Sequence, residues 1–144
     1  MHITLETDYA IRIVDRLAKN KLAAKVSDTP MRLDAKTIAE NTEVPLRFAL
    51  KILRKLVSGD IVKSYKGIYG GYELNRELEN LSLYDIVELV EGTYRFSRCV
   101  SDDYTCSCNK EDELPCTYQR VFSEISDEVC KLLKKQTFDK LVLK

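Results

Sequence analysis

The chain has 144 residues, of which 44% are hydrophobic and 32% charged, and its formal net charge is zero. This is the size and composition of one globular domain or of a small domain with an added segment, and it excludes collagen-like and low-complexity proteins. Charges interrupt every apolar run and the first residues are acidic, so we expect neither a membrane-spanning helix nor a secretory signal, and a cytoplasmic location.

The zero net charge conceals two segments of opposite charge. From Val44 to Arg76 there are seven cations and two acids, a net charge of +5. From Glu77 to Cys116 there are ten acids and three cations, a net charge of −7. A polyanion such as DNA is therefore attracted to the first segment and repelled by the second.

Three helices are expected in the N-terminal half, each with its own start signal. Thr7 and Asp34 are suitable N-caps, and Pro45 suits the first position of a helix that Gly59 ends. The expected spans are residues 7–20, 35–40 and 45–58, separated by a polar connector over 20–32 and a tight turn over 41–44.

The third of these helices has two distinct faces. Its predicted buried face consists of Phe48, Ala49, Ile52, Leu53 and Leu56. Its cationic face consists of Arg47, Lys51, Arg54 and Lys55. Two short β-branched and aromatic runs follow, Ile61–Tyr65 and Tyr72–Leu74, around a glycine-rich bend, and they predict a β-hairpin. Helix, turn, helix and hairpin in this order predict a winged helix-turn-helix.

This order favours DNA binding over a merely solvated cationic face. The N-terminal end of a recognition helix enters the major groove, so Leu46 and Arg47 are the expected base contacts. Phosphate contacts are expected from Lys51, Arg54 and Lys55. In the hairpin, the predicted DNA-contacting residues are Lys66 and Gly67, which suit a minor groove, and Tyr69.

The C-terminal half predicts two further helices with a cysteine-rich loop between them. Ser82 and Asp85 resemble a capping box for a helix that Gly92 ends. A long amphipathic helix begins near Pro115 and suits a dimer interface. The predicted fold is mainly α with a small β-hairpin wing, divided into a DNA-binding domain over 1–78 and, over 79–144, a helix, the loop of about 99–116 and the dimerisation helix.

Four of the five cysteines, Cys99, Cys106, Cys108 and Cys116, lie in this loop, and we expect Cys130 to serve packing or an interface. Clustered thiolates in a reducing compartment are more often metal or cluster ligands than disulfides. Structural zinc sites usually contain C-x2-C pairs, which are missing here, so zinc is the less favoured metal. A disulfide switch between Cys106 and Cys108 stays open.

Several segments carry a family resemblance, namely Leu5–Ala18, Ile38–Glu40, Leu50–Leu56 and the hairpin Ile61–Leu74. They resemble the IscR/NsrR/CymR regulators, the Rrf-two family of winged-helix transcription factors. The resemblance implies a homodimer on a palindromic double-stranded DNA operator, with long C-terminal helices crossing between subunits.

Cluster-binding members of that family use three loop cysteines and a fourth ligand. In the nitric-oxide-responsive branch the fourth ligand resembles Asp8, donated by the partner subunit. In the cluster-biogenesis branch it is a histidine three residues after the last cysteine, where this chain has Gln119. The loop also has one cysteine more than the family pattern, so either Cys106 or Cys108, or both, are expected to bind.

We therefore expect a transcription regulator, not an enzyme, that senses iron–sulfur cluster status, redox state or nitric oxide through a two-iron or four-iron cluster. Whether it is a repressor or an activator is open. One alternative is a cluster-free regulator of the same family controlled by a partner protein or by thiol oxidation. An alternative of another class is a small electron-transfer protein. With a single histidine, His2, the chain is not expected to use histidine-based catalysis.

Overall fold

The computed structural model describes residues 2–107 and 116–143. Within them the chain is mainly helical with one antiparallel hairpin, as predicted. Two short 3-10 turns, Leu78–Asn80 and Arg98–Val100, lie between the elements. The helices and strands are α1 (Leu5–Val26), α2 (Ala35–Thr42), α3 (Leu46–Ser58), β1 (Val62–Tyr65), β2 (Gly71–Leu74), α4 (Leu83–Glu91), α5 (Thr117–Lys135) and α6 (Phe138–Val142).

Helix α1 is longer at both ends than the sequence predicted. Thr4, not Thr7, is the N-cap, and its hydroxyl accepts a hydrogen bond from the Thr7 amide at 3.3 Å. Asn20 does not end the helix, because it is buried and its amide donates to the carbonyls of Pro30 at 2.8 Å and Met31 at 3.0 Å. Asn20 therefore holds the connector against the side of α1.

The helix-turn-helix follows its local sequence signals. The Asp34 carboxylate caps α2 by accepting from the Thr37 amide at 2.8 Å. Glu43 turns the chain in the left-handed region at φ 55°, and Gly59 ends α3. The predicted buried face of α3 is present at Ala49, Ile52, Leu53 and Leu56, each 0% exposed. Phe48 is the exception: it is 38% exposed, because it lies at the edge of α3 against the Tyr9 ring.

The hairpin pairs Val62 with Leu74 and Tyr65 with Gly71. Its second strand is also bridged to the connector, since Leu33 and Tyr72 exchange backbone hydrogen bonds of 3.0 and 2.7 Å. Gly71 has a φ of +132°, and a Cβ there would lie 2.7 Å from the Leu33 carbonyl oxygen. Only glycine permits this close approach of the two backbones. Gly71 therefore allows the bridge between Leu33 and Tyr72 that attaches the wing to the segment before α2.

One hydrophobic core joins the two halves of the chain. Ile13 and Leu17 of α1 and Leu53 of α3 lie in the same buried cluster as Ile86 of α4 and Phe138 of α6. Backbone bonds from Leu83 to the Gln136 carbonyl and from Phe138 to the Leu81 carbonyl, both 2.9 Å, hold the α6 end in place. Helix α6 was not predicted. The core is continuous across residue 78. The predicted division into a DNA-binding domain over 1–78 and a second part over 79–144 therefore stays a prediction about function.

Helix α5 packs on α4 but leaves part of its apolar side exposed. Ser126 is buried and accepts a hydrogen bond from the Phe96 amide at 2.9 Å, which attaches the preceding loop to α5. By contrast Tyr118 is 74%, Val121 39% and Leu132 57% exposed. Among the described helices, none is long and apolar enough to cross a membrane.

Candidate functional site

The predicted recognition helix α3 presents its cationic face to solvent. Its first two residues, Leu46 and Arg47, are exposed, and Leu46 is 45% exposed although it is apolar. Arg54 is exposed on the same helix. A helix end with accessible apolar and guanidinium groups can reach base edges in a major groove. The geometry of α3 is thus compatible with the predicted base contacts.

Two other predicted phosphate contacts are already paired within the protein. The Lys51 ammonium donates to Glu6 Oε2 at 3.1 Å, and Lys55 Nζ lies 2.7 Å from Glu6 Oε1. The interaction with Lys55 lowers the pKa of Glu6; partial burial opposes this, and Lys51 adds to the lowering. Glu6 belongs to the first turn of α1, so this contact connects α1 to the recognition helix. The sequence pattern did not indicate it.

The wing tip is fully open to solvent. Ile68 is 96% and Tyr69 88% exposed, and Lys66 is exposed beside them. Gly67 has a φ of +93° and nothing within 4 Å of a Cβ built on it. The Gly70 amide closes the turn by donating to the Gly67 carbonyl at 3.0 Å. The tip is therefore shaped by backbone conformation and is free to approach a groove.

A side-chain brace supports the wing from the connector. The Arg32 guanidinium carbon lies 3.4 Å from the centre of the Tyr65 ring, and Arg32 Nη1 donates to the Tyr69 carbonyl at 3.2 Å. Tyr65 donates its hydroxyl proton to Glu73 at 2.6 Å, which raises the pKa of Tyr65. Sequence reasoning missed Arg32, because its partners lie more than 30 residues away along the chain and no local pattern signals them.

Three of the four predicted cysteine ligands line one cavity. Cys99, Cys106 and Cys116 surround about 250 Å³ together with Tyr104 and Gln119. Cys99 and Cys106 are half-buried free thiols, and Cys116 is an exposed free thiol. Cys108 lies outside the described residues, so its role as a ligand stays a prediction. Residues that are 17 positions apart in the sequence, from Cys99 to Cys116, are thus gathered around a single space.

Local hydrogen bonds hold Cys99 in position, and Cys116 is placed by the start of α5. The Ser97 hydroxyl lies 3.2 Å from Cys99 Sγ, and Gln119 donates its side-chain amide to the Cys99 carbonyl at 3.0 Å. Cys116 is the N-cap residue of α5, where the helix dipole stabilises negative charge. Within the described ranges, no three potential ligands are close enough to hold a single metal ion. Thiolates are soft donors of the kind that iron–sulfur clusters and zinc both use.

Asp8 is not among the residues that line this cavity. Its carboxylate forms an ion pair with Arg12 at 2.8 Å, and about half of its side chain is exposed. Arg12 in turn lies over the Tyr9 ring, 5.7 Å from its centre. Ligation by Asp8 thus requires a second subunit and the loss or rearrangement of this ion pair, and it stays a prediction.

The iron-dependent transcriptional regulator family Rrf2 matches residues 3–144. The chain belongs to the Rrf2 family. Its helix-turn-helix and wing are therefore those of a DNA-binding transcription regulator, and relatives in the family are named as regulators, not enzymes. This confirms the family resemblance and the winged-helix fold, including the predicted hairpin.

Individual Rrf2 relatives are moderately similar. A Rhodobacter capsulatus protein named as an rrf2-like HTH-type transcriptional regulator is 27% identical over 97% of this chain and 91% of its own. The solved structure of CymR, the global cysteine regulator of Bacillus subtilis, is 26% identical, with a TM-score of 0.72 over 99% of this chain and 96% of that one. That of T. potens IscR has a TM-score of 0.73 at 18% identity, over 99% of this chain and 86% of that one, and shows the shared fold.

Proposed function

We propose that this Rrf2 regulator acts as a homodimer whose operator affinity depends on an iron–sulfur cluster held by the cysteine loop. The observation that carries the proposal is the cavity shared by Cys99, Cys106 and Cys116 at the start of α5. The chain has two features that such a regulator needs. One is a cationic helix followed by a solvent-exposed wing, and the other is a cavity lined by thiols. A single hydrophobic core joins the two halves of the chain.

DNA contact is assigned to α3 and the wing. Leu46 and Arg47 contact base edges, and Arg54, Lys51 and Lys55 contact phosphates. At the wing tip, Lys66, Gly67 and Tyr69 approach the minor groove, where the missing side chain of Gly67 allows close contact. The +5 charge of the segment from Val44 to Arg76 supports this assignment.

The proposed ligands are Cys99, Cys106 and Cys116, with Cys108 as a further candidate and Asp8 contributed by the partner subunit. When bound, an iron–sulfur cluster supplies a group whose integrity responds to iron supply, oxidation and nitric oxide. Ligation by both Cys99 and Cys116 fixes the loop to the N-terminal end of α5. The number of irons stays open between two and four, and zinc is less favoured because C-x2-C pairs are missing.

The exposed apolar positions of α5 support the homodimer. Tyr118, Val121 and Leu132 are exposed, and with Ile125 and Val129 they follow helical spacing. Such a stripe on a 19-residue helix is suited to pack against the same stripe of a second copy. Because Cys116 caps this helix, a change at the thiols alters the interface that sets the distance between the two recognition helices.

Regulation requires that ligation stabilises one DNA-binding geometry more than the other, since a group that binds both equally shifts nothing. The test is to purify the protein without oxygen, to measure iron and sulfide, and to record the absorption spectrum. Holo and apo protein are then compared on a duplex enriched from a random pool by the protein itself. Equal affinities at equal salt would contradict the proposal.

Ligand assignment follows from single Cys→Ala variants at positions 99, 106, 108 and 116 and from Asp8→Ala, with Cys130→Ala as the matched control. Cys130 is a free thiol within α5 and does not line the cavity. We expect iron content to fall in the ligand variants and to stay unchanged in the control. Retention of iron in Cys99→Ala and Cys116→Ala would exclude the loop as its site.

A second candidate is a cluster-free regulator controlled by thiol oxidation or by a partner protein. It is favoured by the three free thiols around one cavity and by the similarity to CymR. Protein that is free of iron after anaerobic purification, and whose DNA affinity changes reversibly with oxidant, would support thiol control. A response only to an added protein would support the partner instead. An electron-transfer function does not fit a family of transcription regulators.

A further inference from the structure

The carboxylate of Glu6 bridges two lysines of the recognition helix. We propose that Glu6 is an intramolecular competitor of DNA phosphate, which holds Lys51 and Lys55 back from the DNA and so weakens binding to DNA of any sequence. The inference rests on the proposed DNA-binding surface and adds to it a residue that limits its affinity.

The geometry uses both oxygens of one carboxylate. Lys51 donates to Oε2 at 3.1 Å, while Lys55 Nζ lies 2.7 Å from Oε1 at angles poor for a hydrogen bond, so this contact is an ion pair. The two lysines are four residues apart on α3 and therefore neighbours on its surface. The exposed fractions of the side chains are 27% for Glu6, 37% for Lys55 and 56% for Lys51.

The cationic surface is thereby divided into free and paired groups. Among the described residues, Arg47, Arg54 and Lys66 form no ion pair, whereas Lys51 and Lys55 share Glu6. Each cation that neutralises a phosphate releases condensed counterions, and this release makes the main non-specific contribution to DNA affinity. A lysine that must first leave a carboxylate therefore contributes less to this non-specific affinity.

The competition is weak enough to be overcome by DNA. Ion pairs between solvent-exposed groups contribute little net free energy in water, so phosphate displaces Glu6 at small cost. Glu6 therefore adjusts affinity and does not block binding. Because phosphate contacts are indifferent to sequence, while Arg47 at the groove end is free, the main effect of Glu6 is to lower non-specific binding.

The position of Glu6 also connects this effect to the rest of the molecule. It precedes Thr7, which donates to Glu91 of α4 at 2.5 Å, and Asp8, the proposed ligand contributed to the other subunit. A displacement of the first turn of α1 therefore changes the distance from Glu6 to both lysines.

The experiment measures DNA affinity of Glu6→Gln over a series of salt concentrations on a mixed-sequence duplex. Glutamine keeps the shape and removes the charge. We expect roughly two- to fivefold tighter binding at low salt and a steeper dependence of log K on log salt, by up to about 1–2 units. Glu40→Gln is the matched control, since Glu40 is exposed on α2 and forms no ion pair in the described chain.

Equal gains in the two variants, or weaker binding by Glu6→Gln, would overturn the inference. The gain must also disappear when Lys51→Ala and Lys55→Ala are added, and its persistence would overturn the inference too. In either case the wild-type protein still binds DNA in a salt-dependent manner and the proposed function stands. If the wild-type protein binds no DNA at any salt concentration, both the inference about Glu6 and the proposed function are overturned. Thermal melting of each variant identifies any effect that comes from unfolding.

Discussion

The DNA-binding part and the cysteine loop of this protein are held in different ways. Helix α3 contributes four fully buried residues to the core, and its wing is fixed by the Leu33–Tyr72 backbone bridge and by Arg32. The segment that carries Cys99 is attached to α5 by hydrogen bonds from Gln119 to the Cys99 carbonyl and from the Phe96 amide to Ser126, and by the contact between the Phe96 and Phe122 rings. The DNA-binding part is thus fixed by side chains buried in the shared core, whereas the described part of the cysteine loop is fixed by a small number of contacts with α5.

The largest expected difference is in how much a single substitution in each region lowers the stability of the protein. Leu53→Ala, at a fully buried position of α3, should lower the free energy of unfolding by about 2–5 kcal/mol, because it leaves a cavity. Cys99→Ala, in the half-buried loop, should lower it by less than about 1 kcal/mol. Chemical denaturation of the apo protein measures both, and equal losses would contradict the comparison.

Two glycines of the wing test whether the backbone bridge to Leu33 holds the wing in place. Gly71→Ala should cost about 2 kcal/mol, since it combines a strained φ of +132° with a Cβ 2.7 Å from a backbone oxygen. Gly67→Ala should cost only about 1 kcal/mol, because the new Cβ meets open space at φ +93°. Thermal unfolding gives the order of the two. A larger loss for Gly67→Ala would mean that the bridge to Leu33 does not hold the wing.

Glu91 tests the attachment of α1 to α4 and predicts a pH dependence. Burial raises its pKa, but hydrogen bonds from Thr7 and Thr4 lower it more, so the pKa lies below its ordinary value of 4.5. The stabilisation is therefore present above the ordinary value and is lost as the pH falls through the lowered pKa. Glu91→Gln should reduce stability at neutral pH by up to about 1 kcal/mol and should flatten the acid limb of the stability curve. An unchanged acid limb would exclude this role.

The smallest expected effect concerns the Arg32 brace. Arg32→Ala should change global stability by less than about 1 kcal/mol, since the stack is partly exposed. It should nevertheless weaken DNA binding a few-fold by freeing the wing. Tyr65→Phe keeps the ring and removes only the hydroxyl bond to Glu73, so it is the matched control. Hydrogen exchange of the hairpin amides should increase in Arg32→Ala alone, and equal exchange in both variants would argue against the stack.

Features with local signals were predictable from the sequence. Asp34, Gly59 and the Ser82–Asp85 capping box mark helix ends by short-range hydrogen bonds, and the structure has all three. The extension of α1 was missed because Asn20 bonds to Pro30 and Met31 instead of ending the helix. Helix α6 was missed because its formation depends on the burial of Phe138 against distant residues.

The same distinction applies to the candidate site. The cationic positions of α3 follow from helical spacing, but their pairing with Glu6 does not, since it joins residues more than 40 positions apart. The grouping of Cys99, Cys106 and Cys116 was expected from their shared loop, and the cavity agrees with it. Ligation by Asp8 depends on a second subunit, which neither sequence spacing nor one chain determines.

The burial of Phe138 has a consequence for biosynthesis. This residue is 1% exposed in the core beneath α1, yet it leaves the ribosome after the cysteine loop and α5. The nascent chain therefore cannot complete the hydrophobic core until the cysteine loop and α5 have been translated. We expect truncated polypeptides that lack Phe138 to have an incomplete core and therefore a less stable helix-turn-helix.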